Sequence, residues 1–433
     1  MDQSFMNVYL VGGAVRDKLL NLPVKDRDWV VVGATPDELL QQGYQAVGKD
    51  FPVFLHPQTH EEYALARTER KTKAGYTGFE CHFGQDVTLE QDLSRRDLTI
   101  NAMAEAGDGT LVDPYGGRQD LEKRTLRHVS QAFVEDPLRV LRVARFLARY
   151  HHLGFTVAAE TQSLMHTIAV SGELQHLTPE RIWVETEKAL LEPSPWRYFE
   201  VLRECGALAE IFPELDALFG VPQPEQHHPE IDTGLHVMMT LQSATGLLSH
   251  SGSTSETDCT PAFNAEQRVA ILFSLLCHDL GKGLTAPDQL PSHPGHEDIS
   301  EHLSKKVCAR WRAPNPVKRL SSLVARYHTH SHRAFELKPS TVMRLLEALD
   351  YFRRPETLSL FLTACEADAK GRTGLQDRHY HQADYLRDCA QAASNVQAQA
   401  LVNLGFKGET LGIELRKRRI DAIRDMKHSY VRP

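Results

Sequence analysis

Hydrophobic and polar positions change their period once along this chain. Up to about residue 129, short apolar runs at 8–11, 29–32, 62–67 and 111–112 alternate with polar, glycine-bearing stretches, which predicts strands mixed with a few helices. From Asp136 onward a helical period takes over, with Val140, Val143, Ala144 and Leu147 on one apolar stripe. Beyond it the pattern is mostly helix, broken at Pro193-Ser194-Pro195, at Pro213 and across 222–229. The expected fold class is an α/β N-terminal head followed by a mostly α-helical remainder. Residues 68–85 are polar and carry glycines, so a mobile loop is expected there. Residues 249–263 are poor in apolar side chains and read as a disordered surface loop. The sequence has no internal repeat.

At 433 residues the chain is too long for one ordinary core, so two to four domains are expected. No apolar run approaches the roughly 20 residues of a membrane helix, and the N-terminus has no basic-then-apolar leader. Met6, directly before the first strand, is an alternative start. Seven cysteines without a CxxC pair argue against a disulfide framework or a zinc ribbon. Cys277 and Cys365 lie in apolar helical stretches and are expected to be reduced core residues, which points to the cytoplasm. The net charge of −8 does not by itself suggest a nucleic-acid partner. Basic residues nevertheless cluster between Lys123 and Arg149, and binding depends on where charge sits.

The chemistry begins with Leu10-Val11-Gly12-Gly13-Ala14-Val15-Arg16-Asp17, an apolar strand running into a Gly-Gly turn and then a helix. Glycines there let backbone N–H groups approach a phosphate closely. Asp26-Arg27-Asp28 precedes Trp29-Val30-Val31-Val32, and in a strand the two aspartates would share one face. Paired carboxylates beside a phosphate cradle offer the hard oxygen ligands of a Mg²⁺-dependent phosphoryl transfer. The glycines do not make G-x-G-x-x-G, which sets aside a dinucleotide-binding fold. Further on stand Arg95-Arg96-Asp97-Leu98-Thr99-Ile100-Asn101-Ala102, then Asp113-Pro114-Tyr115-Gly116-Gly117. Last comes the stretch 135–146, which opens on Glu135-Asp136-Pro137-Leu138-Arg139.

In this order the motifs resemble the class II tRNA nucleotidyltransferases, the CCA-adding enzymes and bacterial poly(A) polymerases. The resemblance implies a polymerase β-like head and template-independent addition of C, C and A to the 3′ end of tRNA from CTP and ATP. Asp26 and Asp28 would be catalytic and hold two Mg²⁺ ions. Gly13 and Arg16 would contact the triphosphate, and Arg96 the sugar or phosphate, with Asp97 orienting Arg96. Asp136 and Arg139 are three apart and so neighbours if helical, and Arg142 and Arg145 repeat the step, each turning about 60° around the axis. Cytosine and adenine both present an amino donor beside a ring-nitrogen acceptor, so a carboxylate with a guanidinium matches both. Arg142 and Arg145 would then reach toward the ribose and triphosphate. Glu69 and Arg70 are expected to govern the switch from C to A addition.

A second site is expected behind the head. An apolar helix runs from Arg268 into His278-Asp279-Leu280-Gly281-Lys282-Gly283, and an imidazole beside a carboxylate suits Ni²⁺, Mn²⁺ or a similar ion. This resembles the HD phosphohydrolase signature, in which His236 matches the upstream histidine and Asp368 the downstream aspartate. His296, His302 and His328 would build a second metal site, bind phosphate, or form a solvated surface. The implied reactions are metal-dependent hydrolysis of 2′,3′-cyclic phosphates and 2′-nucleotides, and phosphatase activity.

The expected division is a head at 1–134, a helical neck and body at 135–227, an HD domain at 228–375 and a C-terminal helical segment at 376–433. The partners expected are tRNA, ATP and CTP, with no membrane, in a monomer or homodimer. Two alternatives remain open at this point, a poly(A) polymerase and a regulatory HD hydrolase that binds nucleotides without polymerising them.

Overall fold

Strands β1 (Asn7–Val11) and β2 (Asp28–Val32) pair antiparallel with Val11 opposite Asp28, so the glycine turn and Asp28, the first residue of β2, meet at one end of the sheet. Around this pair stand β3 (Gln45–Val47), β4 (Val53–Leu55), β5 (Glu62–Leu65), β8 (Ala104–Ala106) and β9 (Leu111–Val112), in the order β3-β4-β5-β2-β1-β8-β9. Within this sheet, among the described residues, only β2 and β5 run parallel. Val30 packs with Val11, Leu93 and Ala104 on one face, and Val31 with Leu39, Phe54 and Leu65 on the other. The unbroken apolar run of β2 follows, because both of its faces are covered.

The structure is a computed structural model describing residues 6–47, 53–71, 79–226, 230–250 and 263–432. The chain divides into two compact units, 1–211 and 212–433.

In the first unit the run 62–67 is not one strand. β5 ends at Leu65, and β6 (Arg67–Lys71) leaves the sheet to pair with β7 (Phe79–Phe83). The ends of the expected mobile loop are thus a two-stranded ribbon, while residues 72–78 lie outside the described residues. Helices α1 (Gly13–Leu19), α2 (Pro36–Gln41), α3 (Leu89–Ser94) and α4 (Gly117–Glu122) complete the head. A short parallel pair, β10 (Thr125–Leu126) with β11 (Thr156–Val157), brackets α5 (Leu138–Tyr150). The helix α5 is buried along most of its length and packs on α7 (Pro179–Leu190) and α8 (Pro195–Glu204), with α6 (Ala159–Val170) and α9 (Ala207–Ile211) outside them.

The second unit is helical: α10 (Pro213–Asp216), α11 (Thr233–His250), α12 (Ala265–Cys277), α13 (His296–Arg310), α14 (Asn315–His332), α15 (Pro339–Ala348), α16 (Glu356–Lys370), α17 (His381–Ser394), α18 (Ala398–Asn403) and α19 (Gly408–Ser429). Helices α11, α12, α14 and α16 pack on one another, and α13 lies against α14. Phe273 and Phe212 flank the fully buried Trp311, with ring centroids 6.0 and 4.9 Å away. Residues 251–262, most of the expected disordered loop, lie outside the described residues. No helix among the described residues is long and apolar enough to cross a membrane.

Candidate functional site

In the first unit one glycine makes the turn, not two. Gly12 has φ +68° and caps α1, whereas Gly13 is already its first residue. A Cβ on Gly12 would lie 2.8 Å from Arg96 Nη1, so the glycine keeps the turn open to that guanidinium. The turn borders a cleft of about 520 Å³. Eight arginines and three aspartates line it, a positive patch on a chain whose net charge is −8.

Asp28 lines the cleft at the start of β2. Asp26 precedes the strand in irregular backbone, so the shared-face argument from strand alternation does not apply to it. The pair is coupled all the same. Burial raises the Asp28 pKa, Arg96 opposes the rise, and the Asp26 charge adds to it. A carboxylate whose charge is opposed by burial and by a neighbouring acid fits a divalent cation as a ligand.

Arg96 pairs with Asp92 at 3.3 Å rather than being oriented by Asp97. The Asp97 carboxylate instead accepts from Arg142 Nε at 2.7 Å, from Asn101 Nδ2 at 2.9 Å and from the Leu98 N–H at 2.8 Å. Burial would raise its pKa, but Arg142 and these bonds hold it well below the carboxylate range. Arg16 is buried, bonded to Asp17 and Asn101, and lies 5.3 Å from the ring centroids of Phe146 and Tyr150. Asp17 also accepts from the Tyr150 hydroxyl at 2.9 Å and from Arg149 at 3.0 Å, which ties α1 to α5.

The slanted row of four side chains is not found as expected. Asp136 has extended backbone, φ −116° and ψ 104°, and sits before α5. Pro137 explains this, since a residue before proline is biased away from helix. The Asp136 carboxylate accepts from the Leu138 N–H at 3.1 Å and meets Arg181 at 3.4 Å. Arg139 is buried and donates to the carbonyls of Ala132 and Arg95. Arg145 reaches Glu185 at 2.7 Å and Glu192 at 3.7 Å. Asp136, Arg139, Arg142 and Arg145 nonetheless all line the one cleft. Sequence reasoning missed Arg149 and Arg181. Arg149 continues the stripe of Arg142 and Arg145, whereas Arg181, 45 residues from Asp136, carries no local signal. Glu69 and Arg70 lie in β6, and their side chains are outside the described residues.

In the second unit the four expected residues fall into two adjoining groups: His236, His278 and Asp368, and Asp279 with His296 and His328, each group with its ligand atoms within 4.8 Å of one another. All six are buried. His278 caps α12, and Asp279 follows it outside the helix. Gly281 places the second group, because a Cβ there would lie 2.3 Å from the His296 carbonyl oxygen at the start of α13.

Three imidazoles are fixed in the same tautomer. Nδ1–H donates to a backbone carbonyl in His278 (to Leu275, 2.7 Å), His296 (to His293, 2.8 Å) and His328 (to Val324, 3.0 Å). Their Nε2 atoms face inward, 3.1, 3.4 and 3.6 Å from the Asp279 carboxylate. His278 Nε2, His296 Nε2 and Asp279 Oδ1 are buried without a well-formed hydrogen bond. Burial pushes the His328 pKa down to about 4, so that ring is neutral and able to act as a ligand. His278 goes the other way, because Asp279 and Asp368 outweigh its burial and raise its pKa. Inward lone pairs, orphaned atoms and buried carboxylates fit a transition-metal ion.

His302 is exposed on α13 and joins neither group. His332 was missed, though its spacing of four from His328 on α14 was a visible signal. It meets Asp368 at 2.6 Å. Lys282, 2.7 Å from Asp279, also lines the cleft of about 310 Å³ at this site.

Residues 8–127 match the poly A polymerase head domain, and residues 154–219 match a probable RNA and SrmB-binding site of polymerase A. The multifunctional CCA protein of Actinobacillus pleuropneumoniae serotype 5b (strain L20) is 56% identical over 422 residues, 98% of this chain and 99% of its own length. That of Thioalkalivibrio sulfidiphilus (strain HL-EbGR7) is 57% identical over 425 residues, 98% of this chain and all of its own. Among solved structures, an apo CCA-adding enzyme aligns with TM-score 0.64 at 20% identity, over 97% of this chain and 91% of that one. The Thermotoga maritima CCA-adding enzyme complexed with tRNA-CCA aligns with TM-score 0.61 at 20% identity, over 99% and 89%. With identity above half along almost the whole of both chains, this chain belongs to the multifunctional CCA protein family.

Proposed function

We propose that the first unit adds C, C and A to the 3′ end of tRNA from CTP and ATP without a nucleic-acid template. The observation that carries the reading is the single cleft holding an acid of the Asp26/Asp28 pair, a ring of arginines and the base-matching Asp136 and Arg139. The names of the relatives favour this over poly(A) synthesis, and solved relatives in the same fold were captured with CTP and with ATP. Asp26 and Asp28 would hold Mg²⁺, which when bound activates the attacking hydroxyl and neutralises the leaving pyrophosphate.

The chain's own residues bind and orient. Gly12 and Gly13 let the triphosphate approach the backbone, with Arg96 and Arg16 beside it. Asp136 accepts from the amino group of C or A while Arg139 donates to the ring nitrogen, and U or G would present the opposite order. Arg181 holds the Asp136 carboxylate in place. Incubation with CTP, ATP and a tRNA lacking its terminal triplet tests the reading.

The second unit, on this proposal, is a metal-dependent phosphohydrolase of the HD type acting on 2′,3′-cyclic phosphates and 2′-nucleotides. The six inward ligands support it, with Ni²⁺ or a similar ion as the metal. The six described cysteines are free, which supports a cytoplasmic location.

A further inference from the structure

A second, smaller cavity adjoins the histidine cleft. It encloses about 130 Å³, too little for a nucleoside, and His332 and Arg372 line both spaces. Lys370, Arg372, Arg378 and His379 contribute to its wall, and no carboxylate does. In a chain whose acids outnumber its bases, 57 to 49, an acid-free wall with five basic side chains, His332 among them, marks a place for an anion.

Three of the five are engaged elsewhere, His332 with Asp368 at 2.6 Å, Lys370 with Glu366 at 2.8 Å and His379 with Asp384 at 2.6 Å. The arginines are less committed. Arg372 comes no nearer to Asp368 than 3.9 Å, and its Nε is buried without a hydrogen-bond partner. Arg378 is exposed and has no ion-pair partner among the described residues. The wall between the two spaces is firmly held, because the Tyr380 hydroxyl bonds both His332 Nδ1 and Ser331 Oγ at 2.9 Å.

We propose that this cavity is a second phosphate subsite, receiving the phosphate one nucleoside away from the one hydrolysed at the histidine cleft. The inference rests on the phosphohydrolase reading above and narrows its substrate class to the 3′ end of an RNA chain. An RNA end carries a phosphate on each side of its last nucleoside, whereas a free nucleoside 2′,3′-cyclic phosphate carries one. Arginine suits such a site, since its planar fork donates two parallel hydrogen bonds to phosphate oxygens. Arg372, shared by both spaces, would stand between the two charges.

The test compares kcat/KM of the full chain, loaded with Ni²⁺, on three substrates. These are adenosine 2′,3′-cyclic phosphate, its 5′-phosphorylated form, and a dinucleotide ending in a 2′,3′-cyclic phosphate. The wild type should favour both longer substrates over the first by about tenfold, mostly through KM. In Arg378→Ala the ratio should fall toward one, and because it is a ratio it does not depend on how much protein is active. Equal rates on all three substrates, or a ratio that survives Arg378→Ala, would overturn the subsite. A gain confined to the dinucleotide would also overturn it, by assigning the preference to the added base and sugar. Failure of the wild type to hydrolyse any of the three would instead reject the hydrolase reading itself.

Discussion

Arg142 Nε donates to Asp97 Oδ2 at 2.7 Å, joining α5 to the segment after α3 across 45 residues of sequence. The Asp97 carboxylate is buried and spends its other bonds on Asn101 and Leu98. It therefore fixes the arginine stripe of α5 against the head rather than facing the cleft as a free acid.

Asp97→Ala should lower stability by about 2–4 kcal/mol, since it strands a charged, hydrogen-bonded partner. The pH dependence follows from the depressed pKa of Asp97. Its contribution is complete above the ordinary carboxylate range and is lost as pH falls from about 4 toward the folded-state value. Asp97→Asn should flatten the acid limb of stability in urea titrations between pH 5 and about 2. An unchanged acid limb would contradict the assignment.

Gly12→Ala forces a positive φ on alanine and pushes a methyl group toward Arg96. The strain is about 1–3 kcal/mol, and the displaced guanidinium should raise KM for CTP and ATP together. Steady-state kinetics beside a melting curve separate the two effects. Lost stability with unchanged KM would remove Arg96 from nucleotide binding.

Arg139→Ala should relax the preference for CTP and ATP over UTP and GTP, while Arg96→Ala should weaken all four nucleotides alike. Competition assays with mixed triphosphates read the difference. Unchanged selectivity in Arg139→Ala would take the base-matching role from Asp136 and Arg139.

Chelation should lower the melting temperature of the second unit, because an ion that binds only the folded form stabilises it by an amount that grows with the logarithm of free ion over its Kd. Ni²⁺ should restore it, and His328→Ala or Asp279→Ala should blunt the restoration. A melting curve indifferent to chelator and metal would speak against an ion among the two triads.

Much of this arrangement was legible in the residues. The β-branched runs of β1 and β2 and the glycine between β1 and α1 announce the sheet and its turn, because strand period and positive φ are local properties. The same holds for His278 at the end of an apolar helix. Pro137 also carried a local signal, that Asp136 stands outside the helix, and the placement of Asp136 relative to Arg139 depends on it. What could not be read is pairing at a distance. Asp97 with Arg142, Asp136 with Arg181 and Asp279 with His328 each span tens of residues, and only the packing of α5 against the segment after α3 and on α7, or of α12 on α14, brings them together.

The most direct measurement gives the purified protein Mg²⁺, all four triphosphates and a tRNA lacking its 3′ triplet, and sequences the products. The wild type should add C, C and A and then stop, with Asp26→Ala and Asp28→Ala adding nothing. A long run of A, or addition that persists without the two aspartates, would contradict the account.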